Sequence, residues 1–193
     1  MALKVPSNPS LEGLAIYQPG RPIEEVAREF GLDPSSLIKV ASNENPLGPS
    51  PLALKAMQEE AAEMHLYPDG NSFHLKKSLC QHLGIQPSNL ILGNGSNEII
   101  EFLGHAFLGP GTNIVVSQYG FAIYTIVARM MGADVITVPA KDFGHDLKAM
   151  REAINEQTRV LFVANPNNPT GTLASRAEVV DLINHMPEHC VLV

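Results

Sequence analysis

The sequence predicts an α/β protein with a doubly wound, mainly parallel sheet and an N-terminal arm. Strand and helix patterns alternate along most of the chain, which is the order that βαβ units require. The run Val160–Ala164 is apolar or small throughout, as in a strand that is covered on both faces. A polar turn, Asn165–Gly171, follows it directly. Because open parallel sheets bind ligands at the carboxyl ends of their strands, we expect the functional site there.

Composition and charge exclude several classes of function. The 193 residues are 45% hydrophobic, which is enough for a folded domain with a sizeable core. The net charge of −7, without a basic cluster, argues against nucleic acid or an anionic membrane as the main partner. The cysteines and histidines show no metal-ligand or disulfide spacing, so we expect no metal site. No segment resembles a signal peptide or a membrane span, and we expect a cytoplasmic protein.

The first part of the chain is predicted to be an arm followed by two helices. Prolines break up the residues before about 37 and leave room for a short helix, Ile23–Phe30, with a glycine C-cap. A short strand is predicted at Leu37–Val40. Apolar residues at helical spacing then predict a helix with one buried face over Pro51–Met64 and an amphipathic helix around Leu75–Leu83, closed by the next glycine.

The rest of the chain alternates between strands and helices. The predicted strands are Leu90–Leu92, Asn113–Ser117, Asp134–Val138, Val160–Ala164 and a last strand begun at Cys190. The predicted helices are Ser96–Phe107, Tyr119–Met131, Leu147–Ile154 and Ala177–Met186. This alternation is the basis for the predicted doubly wound sheet.

A glycine-containing loop, Gly93–Glu98, lies between the first of these strands and its helix and reads G-N-G-S-N-E. Glycines let a backbone approach an anion, and the first amides of the next helix point at it with the positive end of the helix dipole. A phosphate group therefore fits this loop. Glu98 replaces the third glycine of a dinucleotide fingerprint, which argues against that alternative. Ser96 also suits an N-cap.

Four stretches carry a resemblance to known proteins. The loop Asn165–Gly171 reads N-P-N-N-P-T-G and, together with Gly93–Glu98, resembles the fold-type I aminotransferases that use pyridoxal 5'-phosphate. The segments Tyr17–Leu32 and Ala41–Gly48 are similar to the start of histidinol-phosphate aminotransferases. The resemblance implies the large domain of these enzymes. We accordingly assign residues 1–45 to an arm and small-domain segment, and 46–193 to the first part of that domain.

The resemblance implies a role for each matching residue of the large domain. Asn168, the asparagine of N-P-T-G, would donate a hydrogen bond to the phenolic oxygen of the cofactor and favour its ionised form. Gly95, Ser96 and Asn97 would bind the cofactor phosphate. Tyr119 would stack on the pyridine ring, a geometry that costs little for a side chain with two torsions. Ordinary turn chemistry would also explain an isolated N-P-T-G.

Three further residues are assigned through the same resemblance. Tyr67, in the turn Y-P-D-G, would cross a dimer interface and bind the cofactor phosphate of the other subunit, so a homodimer is expected. Tyr17 would help close the substrate pocket, although it could equally pack the arm down. Asn43 would contact the substrate, although turn chemistry alone explains its neighbourhood.

The catalytic lysine implied by the resemblance is missing from this sequence. In the family it follows the N-P-T-G loop, whereas every lysine here precedes Asn165. The aspartate that pairs with the pyridine nitrogen and the arginine that binds the substrate carboxylate also come later in the family. We therefore expect the chain to be a truncated enzyme that is inactive by itself and forms no imine with the cofactor.

The expected parent activity is that of a histidinol-phosphate aminotransferase. It would convert L-histidinol phosphate and 2-oxoglutarate to imidazole-acetol phosphate and L-glutamate in histidine biosynthesis, by a ping-pong mechanism. An aromatic aminotransferase and a threonine-phosphate decarboxylase remain alternatives, because they share both loops. A module that binds phosphate without catalysis is an alternative of another class.

Overall fold

A computed structural model describes residues 6–17, 19–40 and 42–193. The remaining positions of the predicted arm, and the first residue of the Ala41–Gly48 segment, lie outside the described residues. The chain divides into two compact units, one made of residues up to 17 together with 91–193, the other of residues 18–90. The boundary that the sequence predicts after residue 45 stays a prediction.

The described residues form seven α-helices and four β-strands. The helices are α1 (Ile23–Phe30), α2 (Pro51–Glu60), α3 (Phe73–Leu83), α4 (Gly95–Phe107), α5 (Ala122–Met130), α6 (Leu147–Glu152) and α7 (Arg176–Asn184). The strands are β1 (Asn113–Ser117), β2 (Asp134–Val138), β3 (Thr158–Leu161) and β4 (Val191–Leu192). The strands form one sheet in the order β2-β1-β3-β4, and every neighbouring pair is parallel. The predicted parallel α/β architecture is therefore confirmed.

Helices cover both faces of the sheet, as the apolar run at Val160–Ala164 predicts. Successive strand residues point to opposite faces. Ile114 and Val116 pack with residues of α4 and α5 in one core cluster, whereas Val115 and Leu161 pack with residues of α6 and α7 in another. All five residues of β1 are buried. The pairing of β3 continues beyond its formal end, since the Val163 amide donates to the Val193 carbonyl at 2.8 Å.

Local chemistry fixes the ends of several helices. Ser175 and Glu178 form a capping box at the start of α7, in which each side chain accepts from the other residue's backbone amide. Glycines in the left-handed conformation follow α1 and α3, so the predicted C-caps at Gly31 (φ 65°) and Gly84 (φ 67°) are confirmed.

Several predicted elements differ from the structure. No strand forms at Leu37–Val40 or Leu90–Leu92, because neither segment has a neighbouring strand to pair with among the described residues. Helix α2 ends at Glu60, before Met64, and its predicted apolar face is exposed rather than buried. Helix α5 begins at Ala122 rather than Tyr119, since the chain turns through the tyrosine first.

Candidate functional site

The candidate site lies at the carboxyl edge of the sheet, between β1 and β3. The chain leaves β1 toward β2 on one side, then crosses back so that β3 lies on the other side of β1. Such a reversal of strand order opens a crevice between the loops that follow the two strands. Here those loops are residues 118–121, after β1, and 162–175, after β3.

The Asn165–Gly171 loop is held in place by Asn167 rather than by Asn168. Asn167 is only 3% exposed, and its Nδ2 donates to the Tyr119 carbonyl at 3.2 Å and to Thr170 Oγ1 at 2.8 Å. The Gly171 amide donates to the Asn167 carbonyl at 2.7 Å and closes the turn. These bonds attach the loop after β3 to the loop after β1.

Asn168 presents its side chain at the surface of this loop. It is exposed, and no hydrogen bond engages its amide within the described part of the chain. Both X-Pro peptides of the loop, Asn165–Pro166 and Asn168–Pro169, are cis. The buried neighbour Asn167 thus anchors the loop, while Asn168 remains available to a ligand.

Tyr119 lies directly after β1, where the Asn167 bond reaches it. The residue is 38% exposed, and its ring stacks on that of Phe143 with a centroid distance of 5.7 Å and an interplanar angle of 28°. The next residue, Gly120, turns sharply, because its amide donates to the Ser117 carbonyl at 2.8 Å. A Cβ at Gly120 would lie 3.0 Å from that same oxygen. Glycine at this position therefore lets the chain present the tyrosine ring.

The start of α4 supplies free backbone amides. Gly95 is its first residue, in the left-handed conformation at φ 74°, and its own amide donates to the Gly93 carbonyl at 2.9 Å. The following amides of Ser96 and Asn97 have no intrahelical acceptor, as at every helix start. Ser96 is the second helical residue and Asn94 precedes the helix, so the expected N-cap role of Ser96 is wrong.

Glu98 folds back over the same turn. Its Oε2 accepts from the Asn94 amide at 2.6 Å and from Asn94 Nδ2 at 3.1 Å. A Cβ at Gly93 would lie 2.9 Å from this oxygen, so a larger residue there would displace the Glu98 carboxylate. The glutamate that breaks the dinucleotide fingerprint is thus the residue that fixes the loop.

The packing of α4 on α5 brings this helix start to the candidate site. A Cβ at Gly104, in the last third of α4, would lie 2.6 Å from Val127 and 3.4 Å from Met131 at the end of α5. Helix α4 ends at Phe107 and leads through a short loop into Asn113, the first residue of β1, so its end lies at the amino edge of the sheet. The start of α4 therefore lies toward the opposite, carboxyl edge, where Tyr119 follows β1.

The predicted arm residue Tyr17 reaches this edge, whereas Tyr67 and Asn43 belong to the other unit. The Tyr17 ring meets Phe121, two residues after Tyr119, edge to face at 6.4 Å. Ser10 Oγ donates to the Met130 carbonyl at 3.0 Å and attaches the same segment to α5. Tyr67 and Asn43 are exposed. The predicted roles of all three residues stay predictions.

Burial affects one titratable side chain that is close to Tyr119 in the sequence. Tyr124 stacks on Phe162 with a ring-centroid distance of 4.2 Å, and burial raises the pKa of the Tyr124 hydroxyl.

No cluster of three potential metal ligands occurs within residues 6–17, 19–40 and 42–193. None of the helices described is both long and apolar enough to cross a bilayer.

Sequence reasoning missed Asn167, Phe143 and Glu98. Asn167 stands inside the recognised motif, but its burial depends on the path of the loop. Phe143 has a positive φ, which no residue pattern indicated. Glu98 was noted only as a departure from a glycine fingerprint, although a glutamate at the first turn of a helix is a known capping signal.

Comparisons with known proteins agree with this geometry. The family model described as aminotransferase class I and II matches residues 35–193. A histidinol-phosphate aminotransferase of Methylobacillus flagellatus is 52% identical, and histidinol-phosphate aminotransferase 2 of Pseudomonas fluorescens Pf-5 is 48% identical. Each alignment covers 97% of this chain and 50% of the relative. The chain thus spans about half the length of these relatives.

Solved structures show the same fold. The histidinol-phosphate aminotransferase of Sinorhizobium meliloti, in complex with pyridoxal-5'-phosphate, superposes with a TM-score of 0.84 at 26% identity, over 99% of this chain and 50% of that one. The aspartate aminotransferase of Rhizobium meliloti, at 14% identity, superposes with a TM-score of 0.77 over 97% and 50%. The chain belongs to the aminotransferase class I and II family.

Proposed function

We propose that this chain provides the ring- and phosphate-binding half of a histidinol-phosphate aminotransferase. The hydrogen bond from Asn167 to the Tyr119 carbonyl carries the proposal, because it joins the two loops at the point where a parallel sheet binds ligands. The relatives at 48% and 52% identity bear this enzyme's name and support the substrate class. The whole enzyme would exchange the amino group between L-histidinol phosphate and 2-oxoglutarate.

The residues present fit pyridoxal 5'-phosphate, which has a phosphate, a flat ring and a phenolic oxygen. The free amides of Ser96 and Asn97 at the start of α4 suit the phosphate. The exposed ring of Tyr119 offers a flat aromatic surface. The unengaged amide of Asn168 offers a neutral donor for the phenolic oxygen. Three different chemical groups of the cofactor thus find three suitable groups at one edge of the sheet.

The bound cofactor would supply an electron sink for the amino-group transfer. The chain's own residues would hold and orient the reactants. Donation from Asn168 Nδ2 would favour the ionised phenolic oxygen, since a hydrogen bond to a charged form lowers its free energy. The α4 dipole would add attraction for the phosphate. Tyr119 would exclude water from one face of the ring, and Tyr17 and Asn43 would contact the substrate.

Two parts of the proposal concern the whole protein. We propose a cytoplasmic homodimer; the resemblance of Tyr67 to the family's Y-P-D-G tyrosine, and its full exposure at 101%, support a dimer in which this ring reaches the partner's phosphate site. The polypeptide of residues 1–193 has no lysine after the Asn165–Gly171 loop. We therefore expect this polypeptide by itself to bind the cofactor without transferring amino groups.

Equilibrium dialysis of pyridoxal 5'-phosphate against the chain tests the proposal. We expect saturable binding that weakens about tenfold to hundredfold in Asn168→Ala, as the loss of one hydrogen bond to a charged group predicts. Asn184→Ala, an exposed asparagine at the far end of α7, is the matched control and should bind normally. Borohydride should fix no cofactor to a lysine. Absence of binding, or equal binding by the Asn168 variant, would refute the assignment.

The substrate is tested on an enzyme that contains this chain and retains the later catalytic segment. Histidinol phosphate should be a better amino donor than phenylalanine, as the names of the relatives imply. Preference for phenylalanine would favour an aromatic aminotransferase instead.

A further inference from the structure

A strained turn, Lys141–Gly144, stands beside the candidate site. Lys141 and Gly144 exchange two backbone hydrogen bonds, at 3.1 and 2.8 Å. The residues between them, Asp142 (φ 49°) and Phe143 (φ 62°), are both left-handed. Tight turns of this kind normally use Asn-Gly, because a side chain with a Cβ is disfavoured at positive φ. A phenylalanine in this position therefore needs an explanation.

Two side chains hold the turn against the segment after β3. Thr172 Oγ1 makes a long hydrogen bond to the Phe143 carbonyl at 3.4 Å. His145 Nε2 lies 3.0 Å from the Ala164 carbonyl and must carry the proton there, because a carbonyl only accepts. The turn is thus fixed to the same chain segment that bears the N-P-T-G loop.

Burial of the Phe143 side chain does not explain the strain, because the residue is 66% exposed. Its specific contact is the stack on the Tyr119 ring at 5.7 Å. The two residues are also joined through hydrogen bonds, since Asn167 links the Tyr119 carbonyl to Thr170 Oγ1, and Thr170 Oγ1 lies 2.9 Å from Thr172 Oγ1. Both the backbone and the ring of Tyr119 are therefore tied to the strained turn.

We propose that Phe143 is a positioning residue: it covers one face of the Tyr119 ring and thereby fixes the orientation of that ring. The flat ring of the ligand stacks on the opposite face of Tyr119. A strained backbone that a surrounding network holds in place is typical of functional sites. The proposal rests on the proposed function, because the ligand ring is that of pyridoxal 5'-phosphate. Phe143 itself does not contact the ligand in this arrangement.

Fluorine NMR of the full chain labelled with 3-fluorotyrosine tests the proposal. The sequence has 4 tyrosines, and Tyr119→Phe identifies the signal of Tyr119. Without ligand, Phe143→Leu should move or broaden that signal alone, because the neighbouring ring current is lost. The affinity for pyridoxal 5'-phosphate should fall about threefold to tenfold, the range of one aromatic pair. Phe143→Tyr adds a fifth fluorine signal but should return the Tyr119 signal and the affinity to those of the unsubstituted chain, and Phe107→Leu, at the far end of α4, should change neither.

Each alternative result has a definite meaning. An unmoved Tyr119 signal in Phe143→Leu overturns the positioning role, and so does a moved signal with unchanged affinity. Tighter binding by Phe143→Leu would mean that Phe143 occupies the ligand's face of the ring, which also overturns the proposal. If the unsubstituted chain binds no pyridoxal 5'-phosphate, the proposed function fails, while the ligand-free spectra still decide whether Phe143 orients Tyr119.

Discussion

Replacing Asn167 should separate the loop that it holds from the loop that carries Tyr119. Asn167→Ala removes the two hydrogen bonds that Nδ2 donates, at 3.2 and 2.8 Å. At about 1 kcal/mol for each bond, the loss is about 2 kcal/mol. Asn167 Oδ1, however, is buried without a partner in the described structure. Removal of this unpaired buried oxygen is favourable and offsets part of the loss of about 2 kcal/mol, so we expect Asn167→Ala to lower the free energy of unfolding by about 1–2 kcal/mol.

Asn167→Asp is the sharper test, because the shape of the side chain is almost conserved. The carboxylate cannot donate, and it would face the Tyr119 carbonyl from a site that is 3% exposed. Burial of an unpaired charge costs about 3 kcal/mol or more. The aspartate variant should therefore be less stable than the alanine variant, although it deletes no atoms from the packed loop.

Equilibrium urea unfolding followed by circular dichroism measures both variants. With a slope of about 2 kcal/mol/M, Asn167→Ala should lower the midpoint by about 0.5–1 M. Burial raises the pKa of the introduced carboxyl in the folded state above its unfolded value. The folded protein then binds more protons, so the stability of Asn167→Asp should increase as the pH falls from 8 to 5. An aspartate variant as stable as the alanine variant would refute the orientation assigned to the Asn167 amide.

Three other substitutions or treatments test separate parts of the molecule. Gly104→Ala places a Cβ 2.6 Å from Val127 and should destabilise the chain by about 1–3 kcal/mol in thermal unfolding. The control Gly109→Ala, whose Cβ meets nothing within 4 Å, should be nearly neutral. Burial raises the pKa of Cys190 to about 11, so iodoacetamide at pH 8 should label it only after urea is added; rapid native labelling would contradict this. The backbone amides of Phe73 and Asn71 hold the pKa of Asp69 below its usual value. The turn at Asp69 should therefore be stabilised above about pH 4 and weaken as the pH falls through the lowered pKa. Hydrogen exchange of these amides measures the effect, and Asp69→Asn should abolish it.

Sequence patterns predicted the parallel sheet because its signals are local. The continuous apolar run at Val160–Ala164 requires cover on both faces, and both faces are covered. The same reasoning failed for Pro51–Met64, where helical spacing predicted the helix but not a partner for its apolar face. Met57 and Met64 remain 59% and 82% exposed. Periodicity states which side chains share a face, and packing depends on residues that are distant in sequence.

The candidate site was predictable in its position but not in its internal support. Asn167 and Asn168 are chemically identical neighbours, and only the folded path of the loop buries the first and exposes the second. The contact between Tyr119 and Phe143 joins residues on either side of β2. The positive φ of Phe143 contradicts the usual preference of that residue. No local pattern encodes such a contact.

The order of the strands explains why these distant residues meet. Tyr119 follows the first strand of the sheet and Asn167 follows the third, and the two strands are neighbours because β2 lies on the outer side of β1. If β2 lay between β1 and β3, one more strand would increase the distance between the two loops by about 4.8 Å. The hydrogen bond of 3.2 Å from Asn167 Nδ2 to the Tyr119 carbonyl could not then form. The turn with Phe143 follows β2 and contacts both the Tyr119 ring and, through Thr172, the segment after β3. The reversal of strand order thus leaves Tyr119 supported by the loop after β3 and by the turn after β2, and a ring held in this way can serve as a fixed surface for a ligand.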